Sequence, residues 1–225
     1  MASVTIDEAE IACLVDGSGP GLVLIHGTGG NANSNWDQVV KRFSPHRTVV
    51  RPNYSGSGET TDSGSALGVE QLAAQVVAAA KAAGAVPFDL IGFSLGAGIA
   101  TFIAAKYPEL VRSVVLLAGF LSGEDSRLKL QFELWRDLID SDRRALARLI
   151  LLTGFSPDFL AGLSETNIDQ SVDEIVRNNN WEGMRRQVDL DMTIDVRVQA
   201  QRIAKSVLVI AATQAWWERM CCSRL

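Results

Sequence analysis

The sequence predicts a doubly wound α/β fold, in which a mostly parallel sheet carries a helical insertion before its last strand. Short runs of aliphatic residues alternate with longer helical patterns, which is typical of parallel strands covered by helices on both faces. After residue 120 the strand pattern stops, and apolar residues recur at helical spacing. We therefore expect the first part of the core at residues 1–120, a helical cap at residues 121–204, and the last core strand with an atypical tail at residues 205–225.

Each expected strand is an aliphatic or β-branched run bounded by turn residues. The stretch at residues 4–15 is expected to form a leading hairpin. The five core runs are GLVLIH at 21–26, RTVVR at 47–51, PFDLI at 87–91, SVVLLA at 113–118 and SVLVIA at 206–211.

The expected core helices lie between these strands, at residues 35–43, 69–83 and 96–106, and the last of them stops before Pro108. Several helices are expected in the cap. Trp135 and Trp181 are predicted to pack there or to line a pocket.

An acidic run, VDLDMTIDVR at residues 188–197, comes near the end of the predicted cap. Charged runs of this kind are usually solvated. We therefore predict that this run is an exposed edge that leads into the last strand.

Composition limits the classes of partner. The net charge is -5 and the sequence pI is about 5.1, whereas nucleic acids and anionic membrane surfaces require a basic face. The N-terminus carries acidic residues where a secretion signal would carry basic ones, and no apolar run reaches membrane-spanning length. We expect a cytoplasmic protein that binds a small molecule and needs no cofactor.

The three cysteines, Cys13, Cys221 and Cys222, suggest neither a disulfide framework nor a spaced set of metal ligands. Two of them are adjacent, in a tail that offers no base and no matched partner. We expect no redox role for them.

The stretch FDLIGFSLGAGIA takes a predicted strand through Gly92-Phe93-Ser94-Leu95-Gly96 directly into a helix. A serine at such a sharp turn projects its hydroxyl above the sheet, and flanking glycines leave room for the strand and helix to approach. The bare five-residue pattern is common, but its strand, turn and helix context favours a nucleophile over a structural turn. Ser94 is the predicted nucleophile.

A second glycine-rich stretch, His26-Gly27-Thr28-Gly29-Gly30, follows an earlier strand. Backbone N–H groups in such a loop can stabilise a developing oxyanion. We predict that the N–H groups of Thr28 and Leu95 form this oxyanion hole, with Gly27 beside them. A flexible connection or a phosphate loop is the alternative, although no GK[ST] ending is present.

Taken together, these motifs resemble the α/β-hydrolase family. The resemblance rests on the His26-Gly27 turn, on the elbow at residues 92–96, and on RPNYSGSGET at residues 51–60, which is similar to a loop that the family often writes as D-x-R-G-x-G-x-S. Asn53 and Ser55 replace the family's usual aspartate and arginine there.

The resemblance implies hydrolysis of an ester or thioester through an acyl-enzyme on Ser94. A serine in the elbow disfavours the dehalogenase and epoxide hydrolase branches, whose nucleophile is an aspartate. It also implies an acid after the strand that ends AATQ and a histidine after one further strand. Position 215 is Ala215, and the sequence ends at Leu225 with two histidines in total, His26 and His46.

Two residues are candidate substitutes for the missing pair. His26 lies beside the oxyanion loop and is a candidate base, although the family's residue at this place usually orients the loop. Asp125 follows the strand SVVLLAG and is a candidate acid, although SGEDSRLK also has the pattern of a helix start. His46 precedes its strand and is expected at the opposite edge of the sheet.

Two interpretations of the chain's ending stay open. In one, a truncation or frameshift has replaced the final strand, helix and histidine loop of a hydrolase. In the other, a natural short variant uses the cleft to bind a small molecule without catalysis. Either one leaves an open sheet edge at residues 206–211, which favours pairing with a second copy of the chain.

Overall fold

The computed structural model describes residues 2–211, and its central feature is a seven-stranded sheet with the strand order β1-β2-β4-β3-β5-β6-β7. Strands β1 and β2 form the predicted hairpin, β2 pairs antiparallel with β4, and all later pairs are parallel. The strands are β1 Ala2–Ile6, β2 Ala9–Asp16, β3 Gly21–Ile25, β4 Thr48–Pro52, β5 Phe88–Phe93, β6 Val111–Leu117 and β7 Ser206–Ile210.

Helices cover the sheet and fill the interval between β6 and β7, as the loss of strand pattern predicted. The helices are α1 Asp37–Phe43, α2 Val69–Ala82, α3 Leu95–Lys106, α4 Ser126–Ser141, α5 Arg143–Gly154, α6 Pro157–Ala161, α7 Glu165–Asn178, α8 Trp181–Thr193 and α9 Arg197–Ala200. No helix among residues 2–211 is long and apolar enough to cross a bilayer.

Strand β3 is buried on both faces of the sheet, and its successive side chains point to opposite sides. In β3, Val23 and Ile25 belong to the larger apolar cluster, which includes residues of α2 and α3. Leu22 and Leu24 belong to a second cluster with Val40 of α1. This explains the continuous apolar run of β3 and confirms the predicted doubly wound fold class.

One prediction about the cap is wrong. The acidic run at residues 188–197 is not a solvated edge: most of it belongs to α8, and Asp191 is fully buried. Helical spacing places its acids on different faces, so Asp189 forms a surface ion pair with Arg136 while Asp191 faces inward.

Strand β7 is the last strand in the order of the described sheet, it pairs there with β6 alone, and its side chains are exposed. Val207, Leu208, Val209 and Ile210 are between 41% and 56% exposed. The predictions made for Ala215, Trp216, Trp217 and the two adjacent cysteines fall outside the described residues.

Candidate active site

Ser94 occupies a strained turn between β5 and α3. Its backbone has φ 54° and ψ -119°, a region that residues with a side chain rarely adopt. The turn is held on both sides: the Ser94 N–H donates to the Leu117 carbonyl at 3.0 Å, and the Ser94 carbonyl accepts from Ala97 N–H at 2.9 Å. The half-buried side chain faces a cavity.

The two elbow glycines are required by close backbone contacts. A Cβ on Gly92 would collide with the Gly96 carbonyl oxygen, and one on Gly96 would collide with the Ile25 carbonyl and lie 2.5 Å from the His26 carbonyl oxygen. The elbow is therefore seated directly on the end of β3, where the glycine-rich loop begins.

That loop lies against the elbow, since a Cβ added to Gly27 would be 3.0 Å from Ser94 Cβ. Most of its N–H groups already have acceptors. Gly27 N–H donates to Asn35 Oδ1 at 2.9 Å, and Gly30 N–H donates to the Gly27 carbonyl at 3.0 Å.

The Gly29 N–H donates to Gln187 Oε1 at 2.8 Å. Within residues 2–211, Thr28 N–H has no acceptor. Leu95 begins α3, so its N–H is one of the helix donors that lack an intrahelical partner. The two N–H groups predicted as oxyanion donors, those of Thr28 and Leu95, are thus available to a substrate oxygen.

The imidazole of His26 is fully buried beneath the loop. Its Nδ1 lies 2.9 Å from the Gly27 carbonyl oxygen, its Nε2 lies 2.9 Å from Ser57 Oγ, and its ring stacks on Tyr54 at 4.0 Å. Burial lowers its pKa to about 4, so the neutral ring is strongly favoured. These contacts favour the loop-orienting role of His26 over that of a base for Ser94.

Asp125 lies at the start of α4. Its Oδ1 accepts the N–H groups of Arg127 at 3.0 Å and Leu128 at 3.2 Å, which makes it the N-cap of that helix. The alternative anticipated from the sequence, a helix start, accounts for these contacts. No hydrogen bond joins Asp125 to Ser94 or His26 in the described part of the chain.

A cavity of about 960 Å³ opens above Ser94 between the core and the cap helices. Trp135 is buried and also lines this cavity, so both alternatives predicted for it, packing in the cap and lining a pocket, are observed. Among the described residues, its only charged lining side chains are Asp37 and Glu174. Its apolar wall is formed by Phe93, Leu117, Phe120, Leu128, Phe132, Trp135, Ile150, Leu151, Phe155, Ile175 and Met184.

Two buried polar residues of α8 also reach this site, and the sequence analysis missed both. Gln187 accepts from Gly29 N–H, and Asp191 Oδ2 accepts from the Thr28 hydroxyl at 2.5 Å. Burial raises the pKa of Asp191 well above its ordinary value. The available signal was their spacing of four residues, which places them on one helix face.

A serine at a strained strand-to-helix turn, beside a glycine-rich loop and under helices, is the arrangement of an α/β hydrolase. The sequence profile described as "alpha/beta hydrolase fold" matches residues 20–210. The chain belongs to this family, which confirms the resemblance inferred from its motifs.

Similar proteins include a deacetylase and an esterase. The chain is 54% identical over 213 residues to the pyrrolizixenacetamide deacetylase of Xenorhabdus hominickii, a match that covers 95% of this chain and 80% of the deacetylase. A pimeloyl-[acyl-carrier protein] methyl ester esterase of Aliivibrio salmonicida is 36% identical over 104 residues, covering 46% of this chain and 38% of the esterase.

Solved structures share the fold. An alpha/beta hydrolase from a Medee basin deep-sea metagenome library superposes with a TM-score of 0.87 at 20% identity, covering 96% of this chain and 81% of its own. The enol-lactonase of Burkholderia xenovorans LB400 superposes with a TM-score of 0.80 at 21% identity, covering 94% of this chain and 81% of its own.

Proposed function

We propose that this chain is a serine hydrolase that removes a small acyl group from an ester, thioester or amide through an acyl-enzyme on Ser94. The observation that carries the proposal is the strained backbone of Ser94 next to two N–H groups, of Thr28 and Leu95, that remain available to an oxyanion. The amide is included because the 54% identical relative is named a deacetylase of an acetamide.

In the proposed reaction, Ser94 Oγ attacks the carbonyl carbon and forms a new C–O bond. The carbonyl oxygen becomes an oxyanion that accepts from the Thr28 and Leu95 N–H groups. When the intermediate collapses, the bond to the leaving group breaks and that group takes up the proton lost by serine. Water then attacks the acyl-enzyme, which releases the acid and restores the hydroxyl.

We propose that His26 supports the second half of this reaction poorly. Deacylation needs a base that activates water, and the two ring nitrogens of buried His26 already face the Gly27 carbonyl and Ser57. Asp125 is engaged as a helix cap. A base role for His26 and an acid role for Asp125 therefore stay hypotheses with less support than Ser94.

The cavity favours a substrate that is largely apolar and not anionic. Its wall combines aromatic and aliphatic side chains, and its charged residues in the described part of the chain are both acids. A carboxylate or phosphate on the substrate would meet Glu174 with no cation lining the described part of the cavity, whereas the charge of Asp37 is already paired with Arg51.

The test is turnover of 4-nitrophenyl acetate and of an acetanilide by the wild type and by Ser94→Ala. We expect the substitution to abolish whatever activity the chain has, because the attacking oxygen is gone. Ser63→Ala, an exposed serine outside the cavity, is the matched control and should behave as the wild type. Unchanged activity in Ser94→Ala would remove Ser94 from the mechanism.

A second candidate is a non-catalytic protein that binds a small molecule in the same cavity. The engaged nitrogens of His26 favour it, because they leave Ser94 without an evident base in the part of the chain that the structure describes. It predicts saturable binding of an apolar amide with no covalent change at Ser94.

We also propose that the exposed β7 edge pairs with a second copy of the chain. Unpaired N–H and carbonyl groups at a sheet edge favour such association. Among residues 2–211, β7 has β6 as its one partner strand, and its side chains are exposed. A cytoplasmic location and the absence of nucleic-acid partners likewise stay predictions.

A further inference from the structure

We infer that Gln187 and Asp191 of α8 are positioning residues that hold the oxyanion loop, residues 27–30, in the conformation that leaves Thr28 N–H free for substrate. This inference rests on the proposed function, because it concerns the loop that would stabilise the oxyanion. It assigns to a cap helix a part in the chemistry and not only in the shape of the cavity.

The first contact fixes the backbone of the loop. Gln187 is fully buried and accepts the Gly29 N–H at 2.8 Å, while its amide nitrogen lies 3.5 Å from the Ser55 carbonyl oxygen. Gly29 has φ +68°, so the chain turns sharply there. With Gly29 N–H directed at α8, the loop holds a conformation in which the preceding N–H, that of Thr28, has no acceptor among residues 2–211.

The second contact fixes the side chain of the same residue. The Thr28 hydroxyl donates to Asp191 Oδ2 at 2.5 Å, and Asp191 is fully buried. The other carboxyl oxygen, Oδ1, is buried and has no hydrogen-bond partner in the described part of the chain. An ionised carboxylate in such surroundings would be very costly, so the neutral acid is the form that the geometry favours.

A neutral Asp191 suits an oxyanion site. A negative charge on the carboxyl group that binds the Thr28 side chain would oppose the charge that develops on the substrate near the Thr28 N–H. The protonated acid accepts from the Thr28 hydroxyl and adds no such charge. The position therefore calls for an acceptor of this size and not for an ion.

Helix α8 is itself held close to the core, which makes it a firm support for the loop. A Cβ on Gly183 would collide with the Gly56 carbonyl oxygen, and one on Gly29 would lie 2.9 Å from Met184 Sδ. Helix α8 also packs on α4. Displacement of α8 would thus change the loop and the cavity together.

The experiment compares Gln187→Ala, Asp191→Ala and Asp191→Asn with the wild type in the full chain. Asp189→Asn, an exposed acid on the same helix, is the matched control. One readout is hydrogen–deuterium exchange of peptides covering residues 27–30. The other is the modification of Ser94 by an uncharged alkyl fluorophosphonate, measured as a maximal rate and a half-saturation concentration. In this step the Ser94 O–P bond forms, the P–F bond breaks, fluoride leaves and the hydroxyl proton passes to solvent.

We expect Gln187→Ala and Asp191→Ala to raise exchange at residues 27–30 while exchange in β3 and β5 stays unchanged. The maximal rate of Ser94 modification should fall about 10- to 100-fold, because small displacements of a donor are costly, with little change in half-saturation. Asp191→Asn should retain both properties, since the amide oxygen accepts from Thr28 without charge.

Local exchange equal to that of the wild type in Gln187→Ala and Asp191→Ala would overturn the inference, as would a loss in Asp191→Asn as large as in Asp191→Ala. A general rise in exchange with an unchanged maximal rate would also overturn it, because that pattern means a structural role alone. If wild-type Ser94 is not modified at all, the proposed function fails, and exchange at residues 27–30 still decides whether α8 holds the loop.

Discussion

At the scale of single residues, the site depends on a few backbone positions that admit no alternative side chain. Ser94 keeps its positive φ because Gly92 and Gly96 let β5, α3 and the end of β3 approach without collision. That constraint is local in sequence, so the glycine spacing, within its predicted strand, turn and helix context, was enough to predict it. The burial of His26 was not predictable in this way, because it results from Tyr54 and Ser57, which are distant in sequence.

The buried His26 leads to a prediction about stability. Its folded pKa of about 4 lies below the ordinary value of 6.5, so the unfolded chain takes up the proton first as the pH falls. The contribution of neutral His26 is complete above about pH 6.5 and is lost towards pH 4, by up to about 3 kcal/mol.

The measurement is the free energy of unfolding by urea at several pH values between 7 and 4.5. Relative to the wild type, His26→Asn should lose part of the dependence on pH, while His46→Gln, which changes an exposed histidine, is the control. Identical slopes in the wild type and His26→Asn would contradict the buried, neutral state.

At the scale of elements, the positions of the helices along the chain were predicted better than the faces that they turn towards the core. Regular apolar spacing predicted helices in the cap, and α2 and α3 were predicted from an alanine-rich stretch and from the stretch between the elbow and Pro108. The end of α8 was mistaken for a solvated edge because its acids were counted as a run. Which acid faces inward depends on where α8 lies relative to the oxyanion loop, through contacts more than 150 residues apart, such as those of Thr28 with Asp191 and Gly29 with Gln187. One sequence does not contain that information.

Asp125 allows a test of how the N-terminus of α4 is stabilised. Asp125→Ala should lower the free energy of unfolding by about 1 kcal/mol, because two N–H groups of α4 lose their acceptor. Asp125→Asn should retain the stability and the rate of Ser94 modification, since asparagine also caps helices well. Thermal unfolding and the fluorophosphonate rate measure both, with Glu124→Gln as the neighbouring control. A large loss of rate in Asp125→Asn at full stability would instead support a catalytic acid.

At the scale of the whole molecule, the sheet and its cap create the cavity, and the order of strands determines where it opens. The doubly wound topology and the cap were predicted from the alternation of patterns along the chain. The shape of the cavity was not, because it depends on how helices from α4 to α8 pack over Ser94.

The exposed edge of the sheet predicts self-association. We expect the wild type to elute as a dimer in size-exclusion chromatography at high concentration. Val209→Lys should shift it towards monomer, because a charge on an edge strand opposes pairing. Leu152→Lys, on an exposed apolar residue of α5, should leave the dimer intact. A monodisperse wild-type monomer at high concentration would contradict the prediction.

The central claim is that Ser94 is a nucleophile beside a working oxyanion hole. Intact-protein mass spectrometry over time, after mixing with 4-nitrophenyl acetate, tests it most directly. The account predicts one acetyl group that maps to Ser94 and persists. The nitrophenolate leaves without being protonated, whereas His26, whose two ring nitrogens are engaged, is poorly placed to activate water for deacylation. Absence of both an adduct and nitrophenol release would contradict the account and favour a binding protein in which Ser94 is inert.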